Sequence, residues 1–154
     1  MDQKAFRNAL GAFPTGVTIV TVDAPDGPLG FTANSFASVS LDPPLVLWSP
    51  AVASPRFEAF VSAEKFVIHI LSESQEALAL SFAESANAGF AGRDWAGGDC
   101  GPEFPDTAAK LRCQREVVHP GGDHNIIVGR VLSFEHDAAH PPLVFHRGAF
   151  PRLS

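Results

Sequence analysis

Seven short segments rich in branched and aromatic residues, each bounded by Gly, Pro, Ser or Asp, run through the chain without regular alternation with helices. The clearest is Val17-Thr18-Ile19-Val20-Thr21-Val22, wholly β-branched, the side-chain type that fits a pleated sheet. Turn chemistry follows in Pro25-Asp26-Gly27-Pro28. Further strands are expected at 30–34, 45–49, 65–71, 111–119, 125–135 and 143–147. A doubly wound parallel sheet would need a helix between successive strands, so this order predicts a mainly β, antiparallel barrel with a few short helices.

The helical patterns are brief. Residues 2–10 carry Phe6 and Leu10 four apart behind Asp2, which can cap the first turn, and Gly11 and Pro14 stop the pattern. Ser54-Pro55 puts a capping hydroxyl before a proline, and Phe57, Phe60 and Val61 then share a face. Ser72-Glu73-Ser74-Gln75 has capping-box spacing, followed by Leu78 and Phe82. Residues 88–109, with five glycines and two prolines, read as a long surface excursion of the kind that is functional or mobile.

At 154 residues the chain has the length of one domain, spanning 1–154. Seventeen acidic against 11 basic residues give a net charge of −6, a field that repels phosphate backbones and anionic lipid heads, so no nucleic acid and no membrane partner is expected. Only 18% of residues are charged while 13 are Phe, and apolar surface left over from the core points to burial against a partner. Two cysteines, Cys100 and Cys113, make no disulfide framework, and the first residues lack an apolar leader pattern. A soluble, cytoplasmic protein with free thiols is expected. Tyrosine is absent, which excludes phenol acid/base chemistry.

Nucleophile and phosphate-loop motifs are missing: there is no Gly-x-Ser-x-Gly and no Gly-rich loop ending in Lys-Ser/Thr. His119-Pro-Gly-Gly-Asp-His124 brings two imidazoles and a carboxylate together, yet lacks zinc-ligand spacing, and no metal is assigned. The unusual stretch is 27–55, where Asp42 is the only charge among many small neutral hydrogen-bonding groups. Such groups suit the alternating acceptors and donors of a flat heteroaromatic edge, although a Ser/Thr-rich strand edge would look the same. If Ser54 caps the helix after it, the first-turn N–H groups and Arg56 form an anion seat beside that slot. A neutral ring slot next to a phosphate seat describes a nucleotide-like cofactor.

The run Phe13-Pro-Thr-Gly-Val-Thr-Ile-Val-Thr, the block from Gly30 to Val46, Gly122-Asp-His and Pro142-Leu-Val-Phe-His-Arg-Gly together resemble the flavin reductase family with the FMN-binding split-barrel fold. The resemblance spans about Phe6 to Phe150. It implies that Thr32, Ala33, Asn34, Ser35, Ser38, Val39 and Ser40 hold the isoalloxazine and ribityl chain. It also implies that Ser49, Pro50 and Ala51 line the flavin, that Ser54 contacts its phosphate, and that Phe82 and Ala83 form a further wall. His124 is similar to the histidine facing the hydride donor, and Phe145, His146 and Arg147 occupy the nicotinamide-contacting segment, which in the family usually carries tyrosine.

The activity implied is hydride transfer from NADH or NADPH to FMN or FAD, by a homodimer that supplies reduced flavin to a flavin-dependent oxygenase component. Flavin carries the redox chemistry, so no protein nucleophile is required. The missing tyrosines leave open a non-catalytic flavin-binding carrier or sensor, and the His/Cys set a small zinc protein.

Overall fold

A computed structural model describes residues 1–153. Its elements in chain order are α1 (Gln3–Leu10), β1 (Thr15–Gly16), β2 (Thr18–Ala24), β3 (Gly27–Ala33), β4 (Ala37–Leu41), β5 (Pro44–Trp48), α2 (Phe57–Ser62), β6 (Lys65–Ile70), α3 (Glu76–Glu84), β7 (Ala109–Gly121), β8 (His124–His136) and β9 (Val144–Phe145). Seven strands form one antiparallel sheet in the order β3-β2-β6-β7-β8-β5-β4, and β1 pairs separately with β9. The antiparallel, mainly β expectation holds. The two sheet edges, β3 and β4, are consecutive in sequence and joined only by Asn34, Ser35 and Phe36.

The unbroken β-branched run has a physical reason. Strand β2 is buried on both faces: Ile19, with Val17 just before the strand, joins a cluster with Leu78, Ala79, Phe82 and Phe104, while Val20 and Val22 pack on the other side with Trp48, Phe60 and Phe66. A strand covered on both sides needs apolar residues at every position and shows no alternation. Closure depends on β8, whose 13 residues pair with β7 along most of their length and with β5 from Leu45↔Arg130 to Trp48↔Ile127.

The local signals act as written in the sequence. Asp2 Oδ1 accepts from the N–H groups of Lys4 (2.9 Å) and Ala5 (3.2 Å) at the start of α1. Gln75 Oε1 reaches back to the Ser72 N–H at 3.1 Å, and α3 then buries Leu78 and Phe82.

Three expectations are corrected. Strand β4 was not anticipated: Ala37, Val39 and Leu41 alternate as in a strand but are exposed, with Leu41 97% accessible, so burial did not supply the usual signal. Helix α2 begins at Phe57, after a turn in which Ser54 Oγ accepts from the Arg56 N–H and Ser54 O from the Phe57 N–H. Pro55 is therefore not its first helical residue. The stretch 88–109 is no loose excursion, because Phe90 and Phe104 are buried and stack at 5.4 Å between centroids, and Thr21 Oγ1 donates to Pro102 O. No helix among the described residues is long and apolar enough to cross a membrane.

Candidate functional site

The β7–β8 hairpin carries His124. Its two-residue tip is Gly122-Asp123, closed by the Gly121↔His124 pair, and Gly122 sits at φ +69, where a residue without Cβ is unstrained. The tip docks on the segment after β5: Asp123 O accepts from the Val52 N–H (2.9 Å), Pro50 O accepts from the Asn125 N–H (3.1 Å), and Ala51 bridges His124. The fold thus brings Ser49, Pro50 and Ala51 beside a histidine more than 70 positions away. His124 Nδ1 lies 2.8 Å from Asp123 Oδ1, and that contact holds the Asp123 carboxyl below its ordinary range. With Nδ1–H donated to the carboxylate, the neutral ring keeps Nε2 as an acceptor.

A second group forms at the end of β3. Thr32, Ala33 and Asn34 line an apolar cleft of about 260 Å³ with Val17, Ala83 and Phe145. Thr32 Oγ1 is already committed to Ala79 O at 2.6 Å, so its part in the cleft wall is its methyl and backbone. Asn34 is exposed and its amide has no partner among the described residues. Ser35 links the two groups, its Oγ accepting from the Ser49 N–H at 2.9 Å. Ser38 and Ser40 lie on edge strand β4, separated by a bulge at Val39, with hydroxyls that have no partner among the described residues.

Phe145 reaches the cleft because β9 pairs with β1, Thr15↔Phe145. Beyond it the chain turns tightly, with His146 and Ala149 exchanging backbone bonds of 2.9 and 3.0 Å, and Arg147 at the turn's tip. A larger cavity, about 650 Å³, continues from Asn34 and Phe145 toward that turn and helix α1.

Two expected site residues are elsewhere. The Phe82 ring is fully buried, packed edge-on against Phe90 and Phe104, so it forms core and not a cofactor wall; its neighbour Ala83 does line the cleft. The Arg56 guanidinium is spent on the carbonyls of Gly30, Phe82 and Ala83 and lies 4.9 Å over the Phe31 ring. It ties β3 to α3, and Ser54 accepts from the Arg56 and Phe57 N–H groups, so the Arg56 head group is engaged with these carbonyls and not free as the sequence reading expects. Burial pushes the Cys113 thiol up to about 12 and raises that of Cys100, which leaves both unreactive at neutral pH. Among the described residues no three His, Cys, Asp or Glu side chains come close enough to hold a metal.

Sequence reasoning missed Thr15, a residue of the larger cavity's wall whose buried Oγ1 has no partner, and Asp123, whose carboxylate holds His124 Nδ1 as a donor. Asp123 had a signal in its adjacency; Thr15 had none, since its place depends on a strand 130 residues away. A flat heteroaromatic ring fits this arrangement. An apolar cleft rimmed by the unpaired Asn34 amide, with the free Ser38 and Ser40 hydroxyls on the strand that follows Asn34, offers neutral donors and acceptors and no charged side chain in its lining.

Comparison with known proteins agrees with that chemistry. The flavin reductase like domain family matches residues 10–154. The chain is 53% identical to the FMN reductase (NADH) SmoA of Agrobacterium fabrum, over 99% of this chain and 87% of that protein. It is 38% identical to the flavin-dependent monooxygenase reductase subunit HsaB of Mycobacterium tuberculosis, over 97% of this chain and 82% of that one. Other relatives are longer, the chain spanning 50% of one and 59% of another. Among solved structures, the NADH:FAD oxidoreductase SgcE6 of Streptomyces globisporus, in complex with NAD and FAD fragments, superposes with a TM-score of 0.93 at 35% identity, covering 99% of this chain and 93% of that one.

Proposed function

Since the chain belongs to the flavin reductase like domain family and has its split-barrel fold, we propose that it is an NADH:FMN oxidoreductase that supplies reduced flavin to an oxygenase component. The observation that carries this reading is the continuity of the site: the cleft at Asn34 and Phe145 is tied through the Ser35–Ser49 bond to Ala51 and His124. A bound flavin supplies the hydride-accepting ring there. The chain's part is to hold two rings in register: the Asn34 amide and the Ser38 and Ser40 hydroxyls are neutral partners for the flavin edge, and Ala83 and Phe145 give it an apolar bed. His124 Nε2, an acceptor by virtue of Asp123, is suited to the carboxamide N–H₂ of the nicotinamide. A single domain spanning 1–154 and a cytoplasmic location complete the reading.

Anaerobic addition of NADH to the flavin-loaded protein is expected to bleach the flavin absorption bands. Bands that persist would instead favour a non-catalytic flavin binder, the alternative that the absence of tyrosine supports. In the same assay His124→Ala should lower the reduction rate or raise the NADH KM about tenfold, about 1.4 kcal/mol, and leave flavin affinity within about threefold. Loss of flavin with an unchanged reduction rate would move His124 out of the nicotinamide contact.

A homodimer is proposed from exposed apolar side chains on two strands of one sheet separated by β5: Val39 and Leu41 on β4, Leu132 and Phe134 on β8. Sedimentation should give about twice the 16.3 kDa chain mass, and a monomer at micromolar concentration would refute it.

A further inference from the structure

We infer that Arg7 of helix α1 and Arg147 of the C-terminal turn form the seat for the pyrophosphate of the nicotinamide dinucleotide, an inference that rests on the proposed reductase reading. Both arginines line the cavity of about 650 Å³ that opens beyond Asn34 and Phe145, and no acidic side chain lines it. In a chain of net charge −6 that is an uncommon patch. Neither guanidinium makes an ion pair or hydrogen bond with another described residue, in contrast to Arg56, Arg112, Arg115 and Arg130, which are all engaged.

Two further observations point to a ligand. Thr15, a residue of the same cavity wall, has a buried Oγ1 without a partner, the state of a hydroxyl whose partner arrives with a bound molecule after a rotation of its side chain. Arg147 is held at φ 50, in the left-handed region that disfavours a side chain, beside Gly148 at φ 79. A turn of this kind is best served by Gly or Asn at both central positions, and an arginine retained there points to a use for its head group. Two planar forks that line one cavity with Asn8 and Thr15 offer donors suited to the oxygens of a diphosphate. Because Asn34 and Phe145 line both this cavity and the ring cleft, a diphosphate held by the arginines leaves its nicotinamide end next to the flavin bed.

The test uses Arg7→Ala, Arg147→Gly and the double variant; glycine relaxes the turn, so folding is preserved, and neither arginine packs in the core. Binding of NADH is read by its own fluorescence and by competition with inorganic pyrophosphate, and binding of FMN and riboflavin by flavin fluorescence. Each single variant should weaken NADH and pyrophosphate about tenfold, as expected for one charge-assisted pair, and the double variant about fiftyfold or more. Reduction of the Arg7→Ala variant by N-benzyl-1,4-dihydronicotinamide, which has no phosphate, should fall far less than its reduction by NADH. Unaltered NADH and pyrophosphate affinity would overturn the inference, as would selective weakening of FMN over riboflavin, which would assign the seat to the flavin phosphate. If the wild-type protein binds pyrophosphate through these arginines yet NADH reduces no flavin, the reductase reading fails and the diphosphate seat stands.

Discussion

Gly30→Ala is expected to destabilise the protein by about 3 kcal/mol, at the upper end of the usual cost of overpacking a core. A Cβ at Gly30 would stand 2.4 Å from Phe82 Cε1, and one at Gly89 would stand 2.3 Å from Cε2 on the other side of the same ring. The ring has nowhere to go. Phe90 and Phe104 close the remaining sides at centroid distances of 5.0 and 5.7 Å. The backbone is fixed as well, because the Gly30 N–H donates to Ala86 O at 2.8 Å and its carbonyl accepts from Arg56 at 3.1 Å. For a chain of about 150 residues this corresponds to a Tm lower by roughly 10 °C, measurable by calorimetry. Adding Phe82→Leu to Gly30→Ala should recover part of the loss, since the two sites share one volume and their effects are not additive. A Tm within about 2 °C of wild type for Gly30→Ala alone would show that the ring yields.

Acid should loosen the protein before its carboxylates titrate. His69 is fully buried, with Nδ1 donating to Ile19 O at 3.0 Å and Nε2 accepting from the Phe104 N–H at 3.1 Å, so protonation of Nε2 would break the second bond. Burial, the main cause, lowers its pKa from 6.5 to about 4, with Lys110 and Arg112 also disfavouring the charge while Ile19 O and Glu103 oppose the shift. The unfolded chain therefore binds a proton at higher pH than the folded one. Stability is complete above about pH 6.5 and is lost progressively as pH falls toward 4, by about 3 kcal/mol at the full shift. Glu103, held below its ordinary value chiefly by its hydrogen bond to Arg112, contributes its own loss only in the more acidic carboxylate range. Denaturant midpoints at pH 7.5 and 5 should thus differ mainly through His69, and His69→Gln should be weaker at pH 7.5 but nearly flat across that interval. An equal pH dependence in the variant would place the sensitivity elsewhere.

What the sequence made legible was chemistry resolved within a few residues. The β-branched run of β2, the Asp2 cap, the reach of Gln75 to Ser72 and the Gly122-Asp123 hairpin tip all arise from neighbours in the chain. The motif block from Thr32 to Ala51 and the segments at His124 and Phe145 were found by resemblance, and the fold explains their nearness through the Ser35–Ser49 bond and the β1–β9 pair. Misreadings came where a distant partner decides. Phe82 has the helical spacing of either a core or a cofactor residue, and only the two glycines pressed on its ring decide for core. Arg56 follows a plausible cap, yet three carbonyls from β3 and α3 claim it. The glycines of 88–109 suggested mobility because the aromatic anchors Phe90 and Phe104 are too sparse to form a pattern.

The dependence of closure on β8 sets an order of events during synthesis. The β4–β5 hairpin is complete at Trp48, but the strand that covers it begins at His124, so at 5–20 residues per second the ribosome leaves it waiting for roughly 4 to 15 s. Throughout that interval Val39, Leu41 and the unpaired edge of β5 are open to any other extended chain. Strand β1 waits longer still, for Phe145. Nascent chains of this protein are accordingly exposed to mispairing until β8 and β9 have been made, and the barrel cannot close in stages from β1 onward.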